Sequence, residues 1–204
     1  MISINIAIFG DNNTGKTSLI NNFKGIKELS NYETIGIENT SMIHKTEVPI
    51  CKCICNKVEY LLNFKDVSER HFSFDYFANY LKKEEITICL VLFDFENRTS
   101  YDNAKKKIKL LKKKFKSSYF ILVGNISDCQ SKQVSYQEAY QFSINNKSSF
   151  YQANKNRNNI FILYTVLKQI YFDSFKNEIP GFKIILSDKK SFFFKWFHNL
   201  WKKN

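Results

Sequence analysis

The chain has 204 residues, of which 44% are hydrophobic and 25% charged, and its 31 Lys and Arg against 19 Asp and Glu give a formal net charge of +12. That length is enough for one domain with a full core, and the sequence contains no run of about 18 apolar residues that would cross a membrane as a helix. Five cysteines, with no basic start or small-residue cleavage site in "MISINIAIFG", predict a reduced, intracellular protein, and the positive balance invites anionic partners.

Residues 2–9 are mostly apolar and stop at Gly10, which predicts a buried strand. Residues 16–24 follow as a helix entered through a glycine-bearing loop. Residues 50–54 and 58–64 are predicted as two strands joined near Asn56-Lys57. Cys51, Cys53 and Cys55 alternate and would share one strand face. Three thiols on a flat face do not close a tetrahedral shell, so they are read as ordinary strand cysteines in preference to a zinc site. "ITICLVLFDF" (86–95) is a continuous apolar run of the kind a central parallel strand carries. A lysine-rich helix is expected from about Ser100. Its stretch "AKKKIKLLKKKFK" (104–116) holds eight lysines interleaved with Ile108, Leu110, Leu111 and Phe115, an amphipathic helix with a solvated lysine face. A strand at 119–125, a helix at 135–146, a short strand at 148–153 and a long helix at 158–176 complete the order. Strands alternating with helices predict a doubly wound, mostly parallel α/β sheet flanked by helices. Pro180-Gly181 closes a domain spanning 1–180, and a basic, aromatic tail occupies 181–204.

"GDNNTGKTSL" (10–19) matches G-x-x-x-x-G-K-[ST] between a predicted strand and a predicted helix. Backbone N–H groups of such a loop point at phosphate oxygens. The candidate phosphate-binding residues are Asp11, Asn12, Asn13, Thr14, Gly15, Lys16, Thr17 and Ser18. Lys16 supplies a cation to the β- and γ-phosphates, and the Thr17 hydroxyl can ligate Mg²⁺. Asn13 occupies a position where such loops often use Gly, and Asn tolerates left-handed backbone better than most residues.

At "NYETIGIEN" (31–39), "VLFDFENRTSYDNAKKKI" (91–108) and "LVGNISD" (122–128) the chain resembles the Ras-like small GTPases, the Rab branch in particular, over residues 2–176. The resemblance implies the P-loop small GTPase fold and a bound GTP or GDP with Mg²⁺. It gives Thr34, 18 residues after Lys16, to Mg²⁺ coordination and to sensing the γ-phosphate. Asn125 and Asp128 match the guanine-reading pattern, with Ile126 in place of its lysine. Asn154 and Lys155 fall on a third base-binding element. Effector or regulatory proteins would dock on 34–39 and 66–76.

The second switch departs from the family. Its Trp-Asp-Thr-Ala-Gly-Gln-Glu-Arg-Phe corresponds here to "FKDVSERHF" (64–72). In one register Asp66 is the Mg²⁺-holding aspartate, and Glu69 stands where the family has Gly. In the other, Lys65 replaces the aspartate, Ser68 the glycine and Glu69 the glutamine. The first is preferred, because a strand ending in Asp is the chemically useful arrangement. Both registers lose Asp-x-x-Gly and the water-orienting Gln. Glu69 is the one candidate base, and a carboxylate beside a polyanion is repelled by it.

Rab-like proteins usually end in prenylated cysteines, whereas this chain ends "WKKN", its last cysteine is Cys129, and it does not begin Met-Gly. In "SDKKSFFFKWFHNLWKKN" (187–204) a helical wheel puts Phe192, Phe193, Phe194, Trp196, Phe197, Leu200 and Trp201 on one arc, as in an interfacial helix on an anionic membrane; packing against the domain or a partner groove is the alternative. The expectation is a monomeric Rab-like switch protein in membrane trafficking, on the cytosolic face of an intracellular membrane, with weak or absent hydrolysis. The rival is a non-hydrolysing scaffold. No motif points to nucleic acid.

Overall fold

A computed structural model describes residues 2–25, 36–51, 54–68, 74–126, 131–154 and 159–176. The elements are β1 (Ile2–Gly10), α1 (Lys16–Phe23), β2 (Gly36–Cys51), β3 (Ile54–Ser68), α2 (Phe74–Lys82), β4 (Ile88–Asp94), α3 (Arg98–Lys114), β5 (Tyr119–Ile126), α4 (Tyr136–Asn145), β6 (Ser149–Asn154) and α5 (Ile160–Lys176). They build one six-stranded sheet in the order β2-β3-β1-β4-β5-β6. The β2–β3 pairing is antiparallel and the other pairings are parallel. This is the doubly wound α/β architecture that the alternation of elements predicts.

The side-chain alternation of strands divides the core in two. Ile2, Ile4, Ile6 and Ile8 of β1 pack with Leu19, Ile20 and Phe23 of α1 and with Ile162, Leu163, Val166, Leu167 and Ile170 of α5. Ala7 and Phe9 face the other way, among Phe77 and Leu81 of α2, Tyr101, Ala104, Ile108 and Leu111 of α3, and Ala139 of α4. β4 lies in the middle of the sheet and is buried on both faces, with Ile88, Leu90 and Leu92 on one and Cys89, Val91 and Phe93 on the other. That explains its unbroken apolar run. Asn97 caps α3, its side-chain oxygen accepting from the Ser100 amide at 3.0 Å.

Two expectations need correction. The ladder between β2 and β3 runs from Gly36↔Ser68 to Cys51↔Ile54, with an irregularity between Pro49 and Cys51. Asn56 and Lys57 are therefore inside β3, opposite Val48 and Glu47, and the chain reverses between Cys51 and Ile54. Asn-Lys lacks the glycine that tight hairpin turns favour, and the long ladder overrides it. Pro49 is accommodated because β2 is an edge strand and the ladder is irregular there. The second correction is α2, where the sequence reading placed no element; Phe77 and Leu81, one turn apart, bury its inner face.

β1 begins at Ile2, opposite Tyr60, so residues 54–59 pair with β2 alone and extend the hairpin about 20 Å beyond the sheet. Among the described residues no three His, Cys, Asp or Glu gather as a metal site, and Cys53 lies outside them. Among the described residues no helix is long and apolar enough to cross a membrane.

Candidate functional site

The site forms where the parallel strands β1, β4 and β5 end and the chain turns toward its helices, the edge at which open α/β sheets bind ligands. β1 hands over to the loop at Gly10, φ 154°, where a Cβ would lie 2.7 Å from both the Leu92 carbonyl oxygen and Thr14 Oγ1. Asn13 adopts φ 62°, the left-handed conformation that Asn tolerates. Gly15, φ 89°, stands at the N-cap of α1, where a Cβ would lie 2.5 Å from Asn125 Nδ2. The backbone thus comes close to neighbouring groups, and no side chain at the N-cap competes for the helix N–H groups.

The loop folds around Lys16, which is 7% exposed. Its ammonium donates to the carbonyl oxygens of Gly10 and Asp11, each at 3.0 Å. Thr14 Oγ1 donates to the same Asp11 carbonyl at 2.8 Å. Asn12 and Asn13 are exposed, and Ser18 is half-buried on the first turn of α1. The Asp11 carboxylate is held from α3 by Asn103 Nδ2 at 2.7 Å and Lys107 Nζ at 2.8 Å.

Thr17 Oγ1 donates to Asp66 Oδ2 at 2.6 Å, and Asp66 is 1% exposed. The parallel register Ile8↔Asp66 brings the two together, since Asp66 shares its face with Phe64 and Leu62, the face on which α1 packs. Lys65 points through the other face, where its ammonium meets Asn39 Oδ1 at 3.1 Å and Glu84 Oε2 at 3.0 Å. Beside Thr17 the structure therefore places Asp66 and not Lys65, the arrangement of the first register.

On the base side, Asn125 Nδ2 donates to the Thr14 carbonyl at 3.3 Å and ties the end of β5 to the loop. A small cleft there is lined by Gly15, Ser18, Leu92, Asn125, Ala153 and Asn159. Asn154 is fixed through its backbone: its N–H donates to Asn159 Oδ1 at 3.1 Å, and its carbonyl accepts from Asn159 Nδ2 at 2.9 Å. Asn159, 2% exposed, also donates its own N–H to Asn22 Oδ1 at 2.8 Å. Thr34, Glu69, Asp128 and Lys155 lie outside the described residues, as do residues 34–35 and 69–73 of the expected partner surfaces and the whole of 187–204.

Three residues of this constellation escaped the sequence reading. Asn103 belongs to the quoted stretch 91–108, where the sequence gives it no role. Lys107 was assigned to a solvated lysine face, yet it is 9% exposed. Its spacing from Ala104 and Leu111 puts it on the inward face, and that was the available signal. Asn159 carries no signal, because its role depends on the end of β6 being beside it.

A mostly parallel α/β sheet whose first strand turns through a glycine-bounded loop onto a helix N-terminus, with a buried lysine inside the loop and a hydroxyl–carboxylate pair next to it, defines a P-loop nucleotide-binding domain. The model of the Ras family matches residues 5–172, and the chain belongs to that family. It is a small GTP-binding switch protein. No curated protein gives a significant match to the chain.

The residues present fit the guanine nucleotide and Mg²⁺ that Ras-family proteins bind. Gly10 and Gly15 are positions where a Cβ would clash, and a hydroxyl and a carboxylate, both oxygen donors suited to a hard cation, already meet at Thr17 and Asp66.

Proposed function

We propose that this protein is a Rab-like member of the family: a nucleotide-dependent switch in vesicle and membrane trafficking that binds GTP and GDP but hydrolyses GTP slowly or not at all. The backbone of residues 11–18 and the Lys16 ammonium receive the phosphates. Thr17, Asp66 and Thr34 would hold Mg²⁺, which would supply positive charge against the phosphates. Asn125 and Asp128 read guanine, and Lys155 covers a base face. The Asn154 amide, occupied by Asn159, serves to shape that wall. Effectors or regulators meet 34–39 and 66–76, and the monomer attaches to the cytosolic face of an anionic membrane through 187–204.

The observation that carries the binding half is the preformed loop around Lys16 with Thr17 directed to Asp66. The hydrolytic half rests on chemistry missing from "FKDVSERHF": there is no Gly for close backbone approach to the γ-phosphate and no Gln to orient water. β3 also continues past Asp66 to Ser68, which pairs with Gly36. The same missing chemistry favours a second reading, a non-hydrolysing scaffold that holds nucleotide permanently, or none, and acts through its surface.

The nucleotide that co-purifies, identified by chromatography, is expected to be GDP or GTP. Single-turnover hydrolysis should run below the unassisted family rate, on the order of 10⁻⁴ s⁻¹. Equal affinity for ATP and GTP would sink the guanine assignment. A rate well above that value would show that another group positions the water. GDP that does not exchange against excess GTP would leave the scaffold reading standing.

A further inference from the structure

Asp11 poses an electrostatic problem. It is the first residue after Gly10, its carbonyl oxygen sits 3.0 Å from Lys16 Nζ, and its side chain is 29% exposed. Its carboxylate is directed to α3, yet a negative charge on the phosphate loop itself opposes the binding of phosphates. Asn103 and Lys107, four residues apart on one face of α3, each take one of its oxygens: Asn103 Nδ2 donates to Oδ2 at 2.7 Å and Lys107 Nζ to Oδ1 at 2.8 Å. Lys107 stands on the inward face of α3 beside Ala104, Ile108 and Leu111. Its side chain is 11% exposed, and burying a charged group is costly unless it is paired.

We infer that Lys107 is a positioning residue for the nucleotide: it cancels the Asp11 charge beside the phosphate site and, with Asn103, pins the phosphate loop to α3. The inference rests on the reading of residues 10–18 as the phosphate loop. It also gives the lysine-rich helix a function the solvated-face reading lacks, because α3 senses the loop directly. Loss of the Lys107 charge leaves a partly buried carboxylate uncompensated on the phosphate loop, so the damage grows with the charge of the ligand. A lysine that served only to anchor α3 would affect all nucleotides alike.

The test uses the full chain and compares the wild type with Lys107→Met, Lys107→Arg, Asp11→Asn and the double variant Asp11→Asn/Lys107→Met. Affinities for GMP, GDP and a non-hydrolysable GTP analogue are measured with Mg²⁺, alongside thermal unfolding without nucleotide. Lys107→Met is expected to weaken GMP least, GDP by about tenfold and the GTP analogue by up to about 100-fold. Lys107→Arg should recover most of the loss. The double variant should bind the GTP analogue more tightly than Lys107→Met, which an anchoring role alone does not allow. Asp11→Asn alone removes the negative charge from the loop and keeps Lys107, and should tighten the GTP analogue about threefold; this arm holds even where Lys107→Met fails to fold. Equal losses for the three nucleotides, no rescue in the double variant, or weaker analogue binding by a folded Asp11→Asn would each overturn the inference while leaving the phosphate-loop reading intact. A wild type that binds none of the nucleotides would overturn both.

Discussion

Asn159 shows how much one side chain can organise at a distance from any recognisable motif. Its amide is the right size and polarity to pair with both backbone groups of Asn154, N–H and C=O, as a neighbouring strand would. β6 is an edge strand, and this clamp fixes its end, where the proposed base-binding wall lies. Replacement by Ala would leave those groups to find other partners at a 2%-exposed position. The expected loss is about 1–3 kcal/mol of stability, read as a lower urea midpoint at unchanged slope. Nucleotide should dissociate faster from the same variant. A change in slope would mean that the compactness of the native or denatured state, or two-state behaviour itself, had changed.

At the scale of the element, α3 is the most informative. Its inward face carries Tyr101, which is fully buried, donates its hydroxyl to the Glu138 carbonyl at 3.3 Å, and packs its ring 4.9 Å from Phe93. Lys105 Nζ lies over the ring at 4.6 Å. Burial pushes the Tyr101 hydroxyl up from 10.0 to about 12, with Glu138 adding to the effect. The folded value is above the unfolded one, so its contribution is complete below about pH 10 and is lost as pH rises toward 12. Urea midpoints are therefore expected to fall over that window, and Tyr101→Phe should fall less steeply. Identical slopes for the two proteins would assign the alkaline loss to other groups, such as Tyr60, whose hydroxyl burial also raises.

At the scale of the whole molecule, α5 ends at Lys176. Residues 181–204 then hold seven aromatics, six lysines and one acid, a net charge of +5 (six minus one). Large apolar side chains contribute roughly 1.5–3 kcal/mol each when fully buried, less at an interface. Lysines near an anionic leaflet add about 1 kcal/mol each, screened by salt. On these magnitudes the proposed attachment would be reversible. The full chain is expected to sediment with vesicles containing phosphatidylserine. Deleting 187–204, or replacing Trp196, Phe197 and Trp201 with Ser, should release it without loss of nucleotide. If the triple replacement instead lowered the unfolding temperature sharply, the tail would belong to the core and the membrane reading would fail.

The sequence alone determined what depends on neighbours along the chain. Gly10 to Thr17 is one uninterrupted stretch, so its turn, its glycines and its helix start can be read locally. The run at 86–95 announced a central strand because a strand buried on both faces carries so unbroken a run, and its length and β-branched content suit a strand. The α/β class followed from the order of such segments. The tertiary structure decided what depends on residues far apart. Whether Asp66 or Lys65 faces Thr17 is a question of parity on a strand, answered by the Ile8↔Asp66 register and not by the order of residues around them. Asp11 meets Lys107 across 96 positions of chain, and Asn159 closes on Asn22 across 137. The turn at Asn56-Lys57 failed for the same reason, since a ladder from Gly36↔Ser68 to Cys51↔Ile54 outweighs a two-residue preference. Local chemistry is written in adjacent letters, while charge compensation and register are properties of surfaces that meet only when the sheet and its helices have closed.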